Sequence, residues 1–318
     1  MSGFRIEQPG LLCTLQDQGR FGQSRLGLTT AGPADGHAFR WANALLGNTP
    51  GSCALEITLG GLQLSAGQDS HIAVCGAAVP LSINGQAKAL WQGHAVKAGD
   101  RIELGMATSG VRAYLAVAGG FSVPTQFGSS ATVLREGIGG LNGGKLTAGQ
   151  LLPVAKAAAT MASQQLFALP ERFWPDYQAP LSLRLIEGYQ CQDFSVVERQ
   201  RFYQHSYQIS PKSDRMGCRL QGPALQCQRS KMLSEGICYG AVQVPPDGQP
   251  IVLLSDRQTL GGYPKLGAVL SIDCWQLAQR PAGFELQFAA ISIEQAHNLL
   301  HLQEQRFWQQ HSQLEVPG

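Results

Sequence analysis

Ala54-Leu55-Glu56-Ile57-Thr58-Leu59-Gly60-Gly61-Leu62-Gln63-Leu64 is the stretch that decides the fold class. Leu55, Ile57 and Leu59 alternate with Glu56 and Thr58, a period of two that belongs to a β-strand and not to a helix. Similar short runs follow at His71–Val74, Val79–Ile83, Asp100–Leu104 and Val111–Val117. Turn signals separate them, among them Asn84-Gly85 and Ala98-Gly99-Asp100. Many short strands at this spacing predict a barrel or a sandwich. One helix interrupts them. It runs from Asp35 to Leu46, with Phe39, Ala42, Leu45 and Leu46 on one side and Gly47 as its stop.

A second block repeats this layout, with strands expected at Leu183–Ile186, Ala241–Val244, Ile251–Leu254, Ala268–Asp273 and Phe284–Ala290. Gly61 precedes Ile72 by the same interval as Gly240 precedes Ile251, and each pair brackets a strand, a polar turn and another strand. This weak repeat predicts two related β-barrel domains. Val154–Phe167 is Ala-rich and runs into Pro170, Pro175 and Pro180, as a connector would. The expected division is therefore 1–150, a connector over 151–180, and 181–318. The tail from Ile293 to Gln309 places Ala296, Leu299, Leu300 and Phe307 at helical spacing, which predicts a terminal helix packed on a barrel.

The composition excludes several functions. The 318 residues carry a formal charge of only +2, and no run of Lys or Arg exceeds two, which argues against a nucleic-acid partner. Met1–Gly10 lacks a basic and then apolar signal pattern, and no apolar stretch approaches the roughly 20 residues of a membrane span, so a soluble cytoplasmic protein is expected. None of the eight cysteines forms a C-x-x-C pair, so no metal site is expected and free thiols are.

Some stretches imitate known sites. Gly139-Gly140-Leu141-Asn142-Gly143-Gly144-Lys145 fits G-x-x-x-x-G-K, but Leu146 stands where a magnesium-binding hydroxyl belongs, so a glycine-rich turn is expected. His297 and His301 lie one helical turn apart, with Asn298 where a zinc protease has Glu. Lys231-Met232 is half of a biotin-attachment sequence, with Ser230 in place of the preceding Met, so no covalent biotin is expected on this chain.

Polar residues gather in five Gly/Pro-rich segments: Leu15–Gly22, Ala31–Gly36, Ser213–Gly217, Gln243–Pro250, and Ser255–Thr259 with Gly261–Lys265. Arg20 can clamp a carboxylate or phosphate or can sit in a turn salt bridge, and Asp35 can simply cap a helix. A lysine such as Lys265 can act as an acid or base when its pKa falls, and a tyrosine such as Tyr263 can donate to an oxyanion. The alternative is a structured hairpin with exposed charges.

Taken in order, these segments resemble the biotin-dependent carboxyltransferase-like family, also called allophanate hydrolase subunit 2 or KipA. The resemblance is carried by Thr14–Gly22, Gly32–Asp35, Ala42–Asn48, Ala54–Ile57, Tyr114–Gly120, Ser213–Gly217, Pro250–Thr259 and Gly261–Lys265. It departs at Gly144-Lys145 and Gln150, where Gly-Arg and Asp are usual, and at Gly188-Tyr189-Gln190, where Gly-Pro-Gln is common. The resemblance implies a mainly β protein of two tandem cyclophilin-like barrels with a few helices. It further implies a role like that of the C subunit of ATP-dependent 5-oxoprolinase, which works with the A and B subunits to hydrolyse the lactam 5-oxoproline to glutamate. ATP is then used by the complex, on a component that the sequence does not identify. Two alternatives stay open: carboxyl transfer from carboxybiotin to urea or a similar amide, and a non-catalytic regulatory role. The residues expected to act are Lys265, Tyr263 and Asp256 as catalytic groups. Asp17, Arg20, Asp35, Asn43, Arg215, Gln243 and Arg257 are expected to bind substrate, in a cleft shared by the two barrels with Arg20 and Lys265 facing one ligand.

Overall fold

The computed structural model describes residues 3–155, 165–229 and 232–316. Most of the Ala-rich connector and the Ser230-Lys231 pair of the half-matched biotin sequence lie outside the described residues. The chain divides into two compact units: Met1–Phe21, Ala31–Tyr177 and Phe307–Gly318 form the first, Gly22–Thr30 and Gln178–Arg306 the second.

The first unit contains β1 (Phe4–Pro9), β2 (Leu12–Gln16), α1 (Gly36–Ala44), β3 (Ala54–Thr58), β4 (Gly60–Ala66), β5 (Ser70–Ala78), β6 (Leu81–Ile83), β7 (Gln86–Lys88), β8 (Gly93–Val96), β9 (Arg101–Met106), β10 (Ser109–Val117) and β11 (Leu151–Leu152). They form a six-stranded sheet, β11-β1-β4-β9-β6-β7, and a five-stranded sheet, β2-β3-β10-β5-β8. Apolar residues of both sheets meet in one core. Phe4, Ile6, Leu62, Leu64 and Leu104 come from the first sheet, and Leu15, Leu55, Ile57, Val74 and Leu115 from the second.

The alternating run Ala54–Leu64 is two strands in different sheets. Leu59 takes φ 61° and Gly60 φ 95°, and a Cβ on Gly60 would stand 2.0 Å from the Gly105 carbonyl oxygen. The chain therefore leaves one sheet for the other at a point that only glycine can occupy. Along β3, Leu55 and Ile57 enter the core, while the buried Glu56 faces the other way. Its carboxylate accepts the Ala34 N–H at 2.9 Å and the Tyr114 hydroxyl at 2.7 Å. That second face is covered by α1, whose Ala38, Trp41 and Ala42 pack with Ala73, Cys75 and Ala116.

The second unit contains β12 (Leu181–Glu187), α2 (Val196–Gln204), β13 (Tyr207–Ile209), β14 (Gly217–Gln221), β15 (Glu235–Gly236), β16 (Ala241–Gln243), β17 (Ile251–Leu253), β18 (Leu260–Gly261), β19 (Lys265–Val269), α3 (Ser271–Leu277), β20 (Glu285–Ala290) and α4 (Ile293–His311), the last grouped here as far as Arg306. Seven strands close into a barrel in the order β12-β19-β16-β17-β14-β13-β20, and β15 pairs with β18 as a separate ribbon. Leu183, Leu185, Phe202, Val242, Val252, Leu266 and Phe288 fill the barrel.

The mainly β class with few helices and a closed barrel is as the sequence predicts. Three details differ. The strands of the first unit are paired as two sheets, and the repeated strand–turn–strand layout is not the same object twice: β16 and β17 pair as a hairpin, whereas β4 and β5 belong to different sheets. The run Ala268–Asp273 is not one strand. β19 ends at Val269 and α3 begins at Ser271, where Asp273 accepts the Arg184 backbone N–H at 2.8 Å and its Nε at 2.9 Å. In α4, Ala296 and Phe307 are buried, but Leu300, expected on the packed side, is 38% exposed.

Candidate functional site

Two groups of the sequence-predicted residues lie in the first unit and are engaged with the protein itself. Asp17 Oδ1 accepts the Gly19 N–H at 2.8 Å and the Ser129 hydroxyl at 2.6 Å, and Oδ2 accepts the Ser130 N–H at 2.6 Å. Arg20 is only 1% exposed, and its Nε and Nη2 each donate at 3.0 Å to the carbonyls of Gln126 and Ala131. Asp17 and Arg20 thus fasten the 126–131 loop beside the end of β2. Asp35 caps α1 by accepting the His37 and Ala38 N–H groups, and its other oxygen accepts the Tyr177 hydroxyl at 2.9 Å. Burial pushes the Tyr177 phenol well above its usual pKa, with the Asp35 carboxylate adding to the effect. Asn43 donates to the carbonyls of Phe39 and Ser52 and accepts from Asn48 at 2.8 Å.

In the second unit Arg215 and Asp256 form a bidentate pair, with Nε–Oδ2 and Nη2–Oδ1 both 2.9 Å, and both residues are buried. The Asp256 N–H also donates to the Arg215 carbonyl at 2.9 Å. Neighbouring Arg257 donates from Nε to the Ile237 carbonyl at 3.2 Å and lies 5.8 Å from the centre of the Tyr239 ring. Its burial lowers the guanidinium pKa.

Lys265 opens β19, and its Cα partner across the sheet is Gln243, the last residue of β16. The register slips between Val242 and Gln243, so the pair stands at an irregularity where the ladder ends. The lysine ammonium pairs with Glu235 of β15, and the Lys265 N–H donates to Gln190 Oε1 at 2.9 Å. Gln190 Nε2 donates to Glu235 Oε1 at 2.5 Å and to the Tyr189 hydroxyl at 2.7 Å, and that hydroxyl in turn donates to Glu235. The turn carrying Tyr189 and Gln190 is tied to β19 by the Gly188 N–H, which donates to the Leu266 carbonyl at 2.9 Å. Hydrogen bonds from Lys265 first and Tyr189 second hold the Glu235 carboxyl below its usual range, and the same contact raises the Tyr189 phenol.

Gln243 is 5% exposed, and its Nε2 is buried without a hydrogen-bond partner among the described residues. Gly261, opposite Glu235 in the ribbon, lies over this amide. A Cβ there would stand 2.7 Å from Gln243 Nε2 and 2.3 Å from Ile237 Cδ1. Both atoms are the far ends of flexible side chains that can turn aside, so Gly261→Ala is expected to shift the Gln243 amide and the Ile237 methyl while leaving stability within about 1 kcal/mol. Urea unfolding of the variant checks this, and a loss above about 2 kcal/mol would show that neither side chain can give way. Tyr263, between β18 and β19, is 47% exposed.

The arrangement is a cluster of N–H and O–H donors around one carboxylate, suited to an anionic or strongly polarised oxygen. Sequence reasoning included Lys265 and Gln243 but missed Glu235, Gln190 and Tyr189. The only signal was Gly188-Tyr189-Gln190, noted as a departure and not as a site, while Glu235 stands in Ser234-Glu235-Gly236 with nothing to mark it.

The run Gly139–Lys145 is a turn in which Gly139, Gly140 and Gly143 have positive φ, and it leads to β11 and not to a helix. The helix N-terminus that cradles phosphates in a phosphate-binding loop is not supplied there. Among the described residues no group of three or more His, Cys, Asp or Glu is placed to hold a metal ion, and no helix is long and apolar enough to cross a membrane. His297 and His301 are both exposed on α4.

Residues 26–290 match the sequence profile described as carboxyltransferase domain, subdomain A and B. The chain belongs to this family. The C subunit of 5-oxoprolinase from Escherichia coli K12 is 37% identical over 316 residues, which cover 97% of this chain and 99% of that protein. The C subunit of the Haemophilus influenzae 5-oxoprolinase is 36% identical, over 90% of each chain. The crystal structure of Kluyveromyces lactis urea carboxylase superposes with a TM-score of 0.88 at 29% identity, over 95% of this chain but only 28% of that one. The family resemblance read from the sequence therefore holds. The carboxyltransferase match contains Gln190, Glu235, Gln243 and Lys265, and it starts beyond Asp17 and Arg20.

Proposed function

We propose that this protein is the C subunit of an ATP-dependent 5-oxoprolinase, a cytoplasmic complex with A and B subunits that opens 5-oxoproline to glutamate. One observation carries the reading: the E. coli 5-oxoprolinase component matches this chain from end to end, whereas in urea carboxylase the same fold is about a quarter of a longer chain. Lys265 and Gln243 are the groups placed to act on the lactam. Their N–H donors can hold the carbonyl oxygen, or the oxygen of its phosphorylated form, as negative charge develops on it. Tyr263, half-exposed at the adjoining turn, adds a phenolic donor. Arg257 offers a cation for an anionic group, while Asp17, Arg20, Asp35, Asn43 and the Arg215–Asp256 pair shape the two units. ATP is consumed by the assembled complex, and the glycine-rich turn at Gly139–Lys145 is not its site.

Co-expression with the A and B subunits, followed by an assay of glutamate from 5-oxoproline with ATP and magnesium, tests the proposal. Turnover is expected only when all three are present. Turnover by this chain alone, or by A and B without it, would overturn the assignment. The family description favours one other reading, carboxyl transfer from carboxybiotin to an amide. Carboxybiotin consumption by this chain in the presence of urea, with no glutamate formed by the three-protein mixture, would select it.

A further inference from the structure

Glu235 receives hydrogen bonds from three side chains on two separate segments: the Lys265 ammonium, the Tyr189 hydroxyl and the Gln190 amide. The donors and the acceptor are held very differently. Lys265 opens a barrel strand that lies between β12 and β16 and pairs there with Gln243, and Gln190 is 1% exposed in a turn tied to that strand. Glu235 stands on a two-residue strand that, among the described residues, pairs with the two-residue β18 alone, and its side chain is 32% exposed. The carboxylate is therefore the part that can leave, and the donors are the part that stays. Among the described residues the buried Gln243 Nε2 has no hydrogen-bond acceptor, and Gln243 is the Cα partner of Lys265. A buried N–H without an acceptor is a cost that a ligand oxygen would remove.

We propose that Glu235 occupies a carboxylate subsite as an internal stand-in. A small ligand that carries a free carboxylate beside an amide displaces it, takes over the hydrogen bonds of Lys265, Tyr189 and Gln190, and presents its amide oxygen to Gln243. This deepens the reading of the same site as the place of a lactam substrate, and rests on it. The ammonium of Lys265 has three N–H donors and can bridge the ligand's carboxylate and carbonyl. The hydrogen bonds that lower the Glu235 pKa keep the competitor charged at neutral pH. Ligand and Glu235 compete for the same donors, so the closed form reduces apparent affinity by the fraction of molecules that are open. A structural latch would behave in the opposite way, since its loss would loosen the donors and weaken binding.

The test is a calorimetric titration of the full-length chain with three probes: 5-oxoproline, N-acetylglycine, and 2-pyrrolidinone, which has the lactam without the carboxylate. Glu235→Gln removes the charge, and Glu235→Ala removes the side chain in case glutamine retains the contacts. Both variants are expected to bind the two carboxylates about tenfold or more tightly than the wild type, with pyrrolidinone unchanged. The gain should vanish in Glu235→Ala/Lys265→Ala. Equal or weaker carboxylate binding in both variants, or equal tightening of pyrrolidinone, overturns the proposal. Failure of the 5-oxoprolinase reading looks different: both carboxylates tighten while the three-protein mixture releases no glutamate. Glutamate release without any tightening leaves that reading intact and sinks this subsite.

Discussion

Lys265→Ala is expected to reduce glutamate formation by the assembled three-protein complex by about 100-fold or more, with little change in the folding of this chain. The two effects differ because they draw on different terms. An ammonium that stabilises charge developing on the reacting oxygen supplies several kcal/mol in the transition state; a 100-fold loss corresponds to about 2.7 kcal/mol. The ground-state contact it loses is an ion pair to Glu235; the Lys265 side chain is 14% exposed and that of Glu235 32%, so the carboxylate left behind can be solvated by water. A pair with one partner still wetted is worth about 1 kcal/mol. The Lys265 backbone N–H to Gln190 is unaffected by the substitution. Turnover of the reconstituted complex measured beside a urea melt of the variant separates the terms. Near wild-type turnover would make Lys265 a strand-end lysine with no part in the reaction, and equal losses of activity and stability would assign it to the fold.

What could be read from the sequence follows the range of the interactions. The alternation in β3, β5, β9 and β10 and the capped helix after Asp35 are local, and they stand where the sequence places them. The passage between sheets at Leu59 was hidden because leucine is an unusual residue at φ 61°, so the apolar alternation runs straight through it. Helix α2 is legible in Ser195-Val196-Val197-Glu198, a capping-box sequence, and the Ser195 hydroxyl does accept the Glu198 N–H at 3.2 Å. The site residues divide in the same way. Lys265 and Gln243 stand out as polar residues in Gly/Pro-rich surroundings, but their cross-strand pairing depends on the barrel. Glu235 lies 30 residues from Lys265 and 45 from Gln190 along the chain, and neither separation leaves a pattern. Arg20 shows the reverse problem. Its neighbours Asp17 and Gly19 suggest a surface turn, and only the return of residues 126–131 to that turn makes it an interior arginine.

The same long-range effect governs Arg215 and Asp256, which the sequence presents as one substrate-binding and one catalytic residue. They are 41 residues apart and meet because β14 pairs with β17, Gly217 opposite Leu253, which brings the residues just outside both strands together. Arg215→Met should destabilise the chain by about 3–5 kcal/mol, because it leaves a buried carboxylate without its guanidinium. Arg215→Met/Asp256→Leu should recover at least half of that loss, since an apolar pair avoids the desolvation of both charges. Urea unfolding of the single and double variants measures the coupling, and glutamate formation by the complex shows its meaning. A structural pair predicts that the double variant folds and retains turnover. A single-variant loss below about 1 kcal/mol would mean that the pair is solvated. A well-folded double variant without turnover would return Asp256 to the catalytic set, because the interaction removed would then be one that the reaction needs and the fold does not.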